Sequence, residues 1–348
     1  MTGDIALWLL QDGIITGAIY ALLALALLLV FAVTRIIFVP QGDFISLAGL
    51  TLGTLQLGQI PGTIYLLLGG GVLIAILDSV AALRARAPRR LLRIAGLYLV
   101  LPATIAVLAA WAAPHKPGMW LQMAITLALV VPLGPMLYRL AYRPLAGASV
   151  LVLFIASMAA HYVLTGLALA IFGGEGLRTT PISDARFGLD VLTISAQSIW
   201  VIAASVCCMV ALWLFFERSL YGKALRATAI NQVGARLVGI PTAMTGRLAF
   251  ALAAAIGALS GILISPLATI YYDTGLMMGL KGFVGAILGG MASYPLAVLG
   301  ALGVGLLESY SSFWASTLKE SIVFTFIIPV LLWRSLTSRH PVVEDEEE

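Results

Sequence analysis

Ten apolar runs, each close to the roughly 20 residues a helix needs to cross a bilayer, constrain this chain more than any other feature. They are Leu7–Val33, Phe44–Ile60, Thr63–Ala82, Ile94–Ala113, Trp120–Tyr138, Val150–Phe172, Ile199–Phe216, Leu248–Leu267, Leu296–Phe313 and Ile322–Leu336. A further run, Gly282–Met291, is too short to cross unaided and reads as a half-helix or as a span broken at Gly289-Gly290. Backbone polar groups in lipid must be satisfied within their own segment, so runs of this length fold as helices. The expected fold is an all-α polytopic membrane protein with about 10–11 transmembrane helices, some of them broken.

Composition agrees. Apolar residues make up 61% of the chain, charged residues 10%, and the mean hydropathy is +1.04; a soluble domain carries roughly 25% charge. The 35 glycines suit helices that approach closely in lipid. The net charge of +4 resides in short loops between spans and gives no nucleic-acid signal. Cys207 and Cys208 are neighbours on a helix and point in different directions, which disfavours a metal site or disulfide. Asp4 precedes the first apolar run where a cleavable signal would carry positive charge, so no cleavable signal is expected.

Lys and Arg placement sets the expected orientation. The segments Arg84–Arg93, Arg139–Arg143, Arg218–Arg247, the tail from Arg334, and Arg35 hold 15 of the 20 basic residues and are placed in the cytoplasm. Lys116, Arg178, Arg186, Lys281 and Lys319 lie elsewhere, and Lys281 with Asp273 is taken to mark the external end of the short run. If Gly282–Met291 counts as a crossing, the N-terminus lies outside. Residues 1–341 then form one membrane domain. Residues 173–196, rich in turn formers and short β-type runs, form an ordered external loop, and 342–348 form an acidic, disordered tail.

Ser219–Pro241 is the longest polar segment between spans. It is basic, with Lys223, Arg226 and Arg236. Leu225, Ala229, Val233 and Leu237 recur every four residues and give a helix an apolar stripe. A break at Asn231–Gly234 predicts two short helices around a turn. The stripe suits lipid, the protein's own spans or a separate partner.

Two further clusters lie at membrane depth. In Thr34–Asp43, Pro40 and Gly42 interrupt an apolar helix beside Arg35, Gln41 and Asp43. This reads as a kink lining a pathway or as an ordinary loop. In Leu280–Leu307, Gly300, Gly303 and Gly305 predict a tightly packed helix face. Glu308, at the end of that face, reads as a substrate contact, a gate, or a residue of the interface near Ser309. His115, His161 and His340 stand apart, and no nucleophile elbow, Walker motif or dinucleotide fingerprint occurs. No catalytic residue, metal site or bound cofactor is expected. Any active transport must then draw on a partner or an ion gradient.

Four motifs in order give the chain a resemblance. Gly17–Phe44 (GAIYALLALALLLVFAVTRIIFVPQGDF), Tyr138–Leu145 (YRLAYRPL), Leu220–Ile240 (LYGKALRATAINQVGARLVGI) and Gly279–Glu308 (GLKGFVGAILGGMASYPLAVLGALGVGLLE) resemble signatures of the permease subunits of branched-chain amino-acid ABC importers. Within that family the chain is similar to the LivH-like half of the permease pair. The resemblance implies a cytoplasmic coupling loop, residues 219–241, that docks on an ATPase subunit through Arg226, Ala229, Val233, Arg236, Leu237 and Gly239. It also implies a translocation path near Pro40, Gln41, Gly42, Asp43, Gly289, Gly290, Tyr294 and Glu308.

The implied assembly adds a LivM-like second permease, two ATPase subunits that use the ATP, and an extracytoplasmic substrate-binding protein, in the bacterial inner membrane. Departures fall at Phe38–Gly42, where the family has Asn-Phe-Ala-His-Gly, and at Ala292–Leu296, where it has Gly-Ser-Ile-Pro-Gly. An extra helix pair, 63–113, precedes the usual third span, and its five arginines suit anionic lipid or a plain topology signal. The rival readings are a stand-alone secondary transporter or channel, which predicts intramembrane acid–base relays, and a membrane-embedded enzyme, which predicts clustered polar groups.

Overall fold

The computed structural model describes residues 3–86, 89–189, 192–291 and 293–337. The expected acidic tail, 342–348, lies outside the described residues, as does Ala292. Among the described residues nine helical stretches are long and apolar enough to cross a membrane. They are accompanied by a two-stranded hairpin.

Helix α1 (Gly3–Thr34) is apolar all round and lies at the centre, the position such a helix must take. The chain then passes through a short 3₁₀ turn, Val39–Gln41, into α2 (Asp43–Leu57). Next come α3 (Thr63–Arg84) and a composite span of α4 (Arg89–Ala95), a π-helical turn and α5 (Leu101–His115). These helices occupy the stretch 63–113, and Asp78 of α3 pairs with Arg139. A second composite span joins α6 (Met119–Val130), α7 (Leu133–Leu137) and a π-helical turn at Tyr138–Tyr142, with its bend at Val131-Pro132. Helix α8 (Val150–Phe172) follows. Between α8 and α9, β1 (Arg186–Leu189) pairs antiparallel with β2 (Leu192–Ser195), and Leu177 bridges to Ile270.

The second half comprises α9 (Ala196–Arg218), α10 (Leu220–Ile230), α11 (Gln232–Leu237), α12 (Thr242–Ile264), α13 (Thr274–Leu288), α14 (Tyr294–Trp314), α15 (Lys319–Thr325) and α16 (Ile327–Thr337). Helices α12, α13 and α14 pack around α1, while α2 fits between α12, α6 and α13. At 15 residues each, α2 and α13 rise roughly 22 Å, short of a hydrocarbon core of about 30 Å.

Both can be short because both are shielded by protein. Gly42, at the start of α2, meets the backbone of Gly275 so closely that a side chain on either has no room. The short run around Gly282–Met291 is therefore a half-helix that begins eight residues earlier than expected and ends at Gly289-Gly290, with Gly290 at φ +75°. On α14, Gly300 and Gly305 pack against α13 and α1 as expected. Gly303 does not, since its position faces open space.

Candidate functional site: two opposed cavities and a helical lever

Two cavities open at opposite ends of α1. The basic-end cavity, about 660 Å³, is walled by the second half of α1 from Leu25 to Val33 with Arg35 just beyond it, by α9 and α10, and by the start of α14. It is mostly apolar, with Arg35, Arg226 and Tyr294 at its polar points. The far-end cavity, about 710 Å³, is walled by the first half of α1, by β2, and by parts of α13, α14 and α15. Its floor carries Tyr20, Lys281 and Glu308. The two linings share no residue. Between Tyr20 and Leu25, the fully buried Ala21, Leu22, Leu23 and Ala24 close α1 against its neighbours. These four residues rise only about 6 Å.

The polar segment after α9 sits at the mouth of the basic-end cavity. Ser219 caps α10 by accepting from the Gly222 N–H, and Asn231 caps α11 by accepting from the Gly234 N–H. The break is thus at Asn231, while Gly234 is helical. The cap turns the chain and splits the apolar stripe. Leu225 is fully buried and packs with Leu29, Val33 and Ala249, whereas Val233 (66% exposed) and Leu237 (83%) face outward. Val238 extends that outward patch, while the exposed Ile230 lines the cavity. Gln232 Nε2–H donates to the Val33 carbonyl, tying α11 to the end of α1.

Of the other expected docking residues, Arg226 and Ala229 line the cavity, and Arg226 pairs with Glu217 at 3.3 Å. Arg236 Nε–H donates to Thr242 Oγ1. Gly239 ends α11 at φ +85°, where the Gly239 N–H donates to Arg236 O and the Ile240 N–H to Ala235 O. This double bond and left-handed residue form a Schellman cap.

The expected path residues divide. Tyr294 lines the basic-end cavity beside Phe216, their rings 5.7 Å apart, and Glu308 lines the far-end cavity. Pro40, Gln41 and Asp43 are buried, as is Gly289, and they belong to neither cavity wall. The link 35–42 between α1 and α2 is not α-helical, and most of it is folded into the protein interior. Phe38 packs in tilted and edge-to-face contacts with Phe44, Tyr142 and Phe250, and Gln41 Nε2–H donates to Ala253 O. Non-helical backbone at membrane depth is tolerated in such surroundings.

Three side chains escaped the sequence. Lys281 does not mark an external end; Asp273 does stand at the start of α13, but Lys281 is 5% exposed, two turns inside it. Lys281 Nζ lies 2.5 Å from Glu308 Oε1, and Tyr20 Oη–H donates to Glu308 Oε2 at 2.6 Å. His161, which stands apart in the sequence, meets Asp43: its Nδ1 lies 2.9 and 3.0 Å from the two carboxylate oxygens, both groups buried. A solitary charge in an apolar run was the available signal for Lys281.

The family model described as "Branched-chain amino acid transport system / permease component" matches residues 9–332. The high-affinity branched-chain amino acid transport system permease protein LivH of Salmonella typhimurium, and likewise that of Escherichia coli, is 31% identical over 204 residues, 56% of this chain and 65% of the relative. The chain thus spans somewhat under two thirds of their length. The corresponding BraD protein of Pseudomonas aeruginosa is 28% identical over 218 residues, 61% of this chain and 71% of the relative. A solved structure, PsaBC from Streptococcus pneumoniae in complex with Fab, aligns over 95% of this chain and 92% of its own at 13% identity, with a TM-score of 0.41.

Proposed function

The chain belongs to the permease-component family of branched-chain amino acid transport systems, and on that premise we propose that it is a permease subunit of an ATP-driven importer for branched-chain or similar small hydrophobic amino acids. It works in the bacterial inner membrane with its basic end in the cytoplasm. Its partners are a second permease, two ATPase subunits and an extracytoplasmic binding protein. The chain holds no nucleotide itself; the ATPases use the ATP.

One observation carries the reading. The α10–α11 pair is joined on one side to α1, the helix whose four-residue middle separates the cavities, and on the other presents Val233, Leu237 and Val238 outward. Apolar side chains exposed on a basic loop fit a groove on a partner. An ATPase seated there moves α10–α11 as a lever, and α1 moves with it. One cavity then opens as the other closes, without any chemistry in the permease. The path itself runs where two permeases meet, and Pro40–Asp43 with Gly289-Gly290 support its wall from behind.

The test is co-purification of the chain with the ATPases, followed by uptake of L-leucine into proteoliposomes holding the complete assembly. ATP-dependent uptake supports the reading; failure of the ATPases to co-purify with the unmutated chain sinks it. The buried Asp43–His161 pair favours a second reading, a gradient-driven transporter, because it is an acid–base couple at membrane depth. Uptake driven by a proton gradient alone, with no ATPase present, would establish that alternative.

A further inference from the structure

An α-amino acid carries its ammonium and carboxylate into any path it follows. Taking both from water is expensive unless each finds a partner. The floor of the far-end cavity already holds such partners as a pair. Lys281 and Glu308 are almost wholly desolvated, with side chains 7% and 14% exposed, yet both line the cavity. Buried ion pairs are weak stabilisers, since apolar residues of similar size do as well or better. The charges therefore call for a role beyond holding α13 to α14.

The geometry provides one. Tyr20 holds Glu308 Oε2, leaving Oε1 to Lys281. Glu320, 3.9 Å from Lys281, is a second carboxylate beside the same ammonium. Asp12, Glu308 and Glu320 outnumber Lys281 and Lys319 on the lining, which draws a cationic group inward. Ile15, Ile19, Ile264 and Met278 supply an apolar wall beside them.

We propose that the Lys281–Glu308 pair is an exchange site for the two charged groups of an α-amino acid. The incoming carboxylate takes Lys281 Nζ, and the incoming ammonium takes Glu308 Oε1. Tyr20 keeps the Glu308 carboxylate in place throughout. One ion pair becomes two, so no charge is left alone at membrane depth. This inference rests on the permease reading and names the substrate class that the path itself accepts.

The experiment uses the assembled complex in nanodiscs, without binding protein or nucleotide. Binding is measured for L-leucine, for 4-methylpentanoate, which lacks the ammonium, and for 3-methylbutylamine, which lacks the carboxylate. L-leucine is expected to bind at least tenfold more tightly than either analogue. Glu308→Gln is expected to weaken leucine and the amine about tenfold and spare the carboxylate. Lys281→Gln is expected to weaken leucine and the carboxylate and spare the amine. The double variant Lys281→Met/Glu308→Met leaves no buried charge unpaired. It is expected to assemble and to bind all three ligands equally weakly.

No leucine binding to the unmutated complex overturns the proposal. So does equal weakening of all three ligands by both single variants, the mark of a structural clamp. Amine binding as tight as that of leucine makes the site a cation site and overturns it too. A double variant that binds leucine like the unmutated complex, in an assembly that takes up leucine with ATP, defeats the exchange site and leaves the permease reading standing. An unmutated assembly that does not take up leucine with ATP defeats the permease reading instead.

Discussion

Gln232 Nε2–H donates to the Val33 carbonyl oxygen at 2.7 Å, across 199 residues of chain. It joins the outward-facing α11 to the last turn of α1, beside the fully buried Leu225 that packs on Leu29 and Val33. A helix end has carbonyls without intrahelical partners, and here one of them is held by Gln232 of α11. Force on α10–α11 therefore reaches α1 through a polar link and an apolar one.

Cutting the polar link weakens transmission. Gln232→Ala removes one hydrogen bond and costs about 1 kcal/mol of stability. ATPase activity of the assembly should persist while uptake per ATP falls severalfold. Parallel assays of phosphate release and L-leucine uptake in one proteoliposome preparation measure the ratio.

Leu225→Ala should act differently. It opens a cavity under α10 and costs about 2–5 kcal/mol, so thermal unfolding of the purified chain shifts visibly. Leu237→Asp, at a position 83% exposed, should leave unfolding unchanged within about 0.5 kcal/mol and abolish retention of the ATPases on an affinity column. Equal effects of the two on unfolding would place Leu237 in the fold rather than in a docking face.

Gly239 offers a test by backbone rather than by contact. Nothing lies near the space its side chain would occupy, but its φ is +85°. Gly239→Val should cost about 1–2 kcal/mol at the α11 cap, and Gly239→Asn much less, because Asn tolerates the left-handed region. Uptake should fall with Val and survive with Asn.

The Asp43–His161 pair anchors the start of α2 against α8. Asp43→Ala leaves the buried His161 Nδ1 only the longer contact to Thr165 Oγ1 at 3.3 Å, and should cost about 1–3 kcal/mol. Asp43→Asn retains an acceptor and should lose less. Melting curves of the two variants in one detergent separate them.

The sequence disclosed most of the helices and little of what joins them. Val150–Phe172 was legible to the residue because Ser149, as N-cap, and Gly173 bracket an unbroken apolar run. The stripe Leu225, Ala229, Val233, Leu237 was legible as a pattern but not as a face, because the Asn231 cap swings the second half away from the first. The half-helix at α13 was visible from its length alone. Its charge was misplaced, because Lys281 finds Glu308 on another helix 27 residues on, and Tyr20 meets the same carboxylate from 288 residues away. Asp43 and His161, 118 residues apart, have no local pattern at all. Pairings across helices depend on packing angles set by glycine contacts such as Gly42 with Gly275, and a hydropathy pattern carries no record of them.

The most direct test reads both cavities at once. With Cys207 and Cys208 replaced by alanine, a single cysteine is placed in the far-end cavity by Thr16→Cys or in the basic-end cavity by Ala32→Cys. Labelling by a water-soluble maleimide is then timed in the reconstituted assembly with and without ATP. If α1 is the divider and α10–α11 its lever, ATP changes the two rates in opposite directions, and Leu237→Asp abolishes both changes. Rates that rise or fall together, or that ignore ATP, would contradict it.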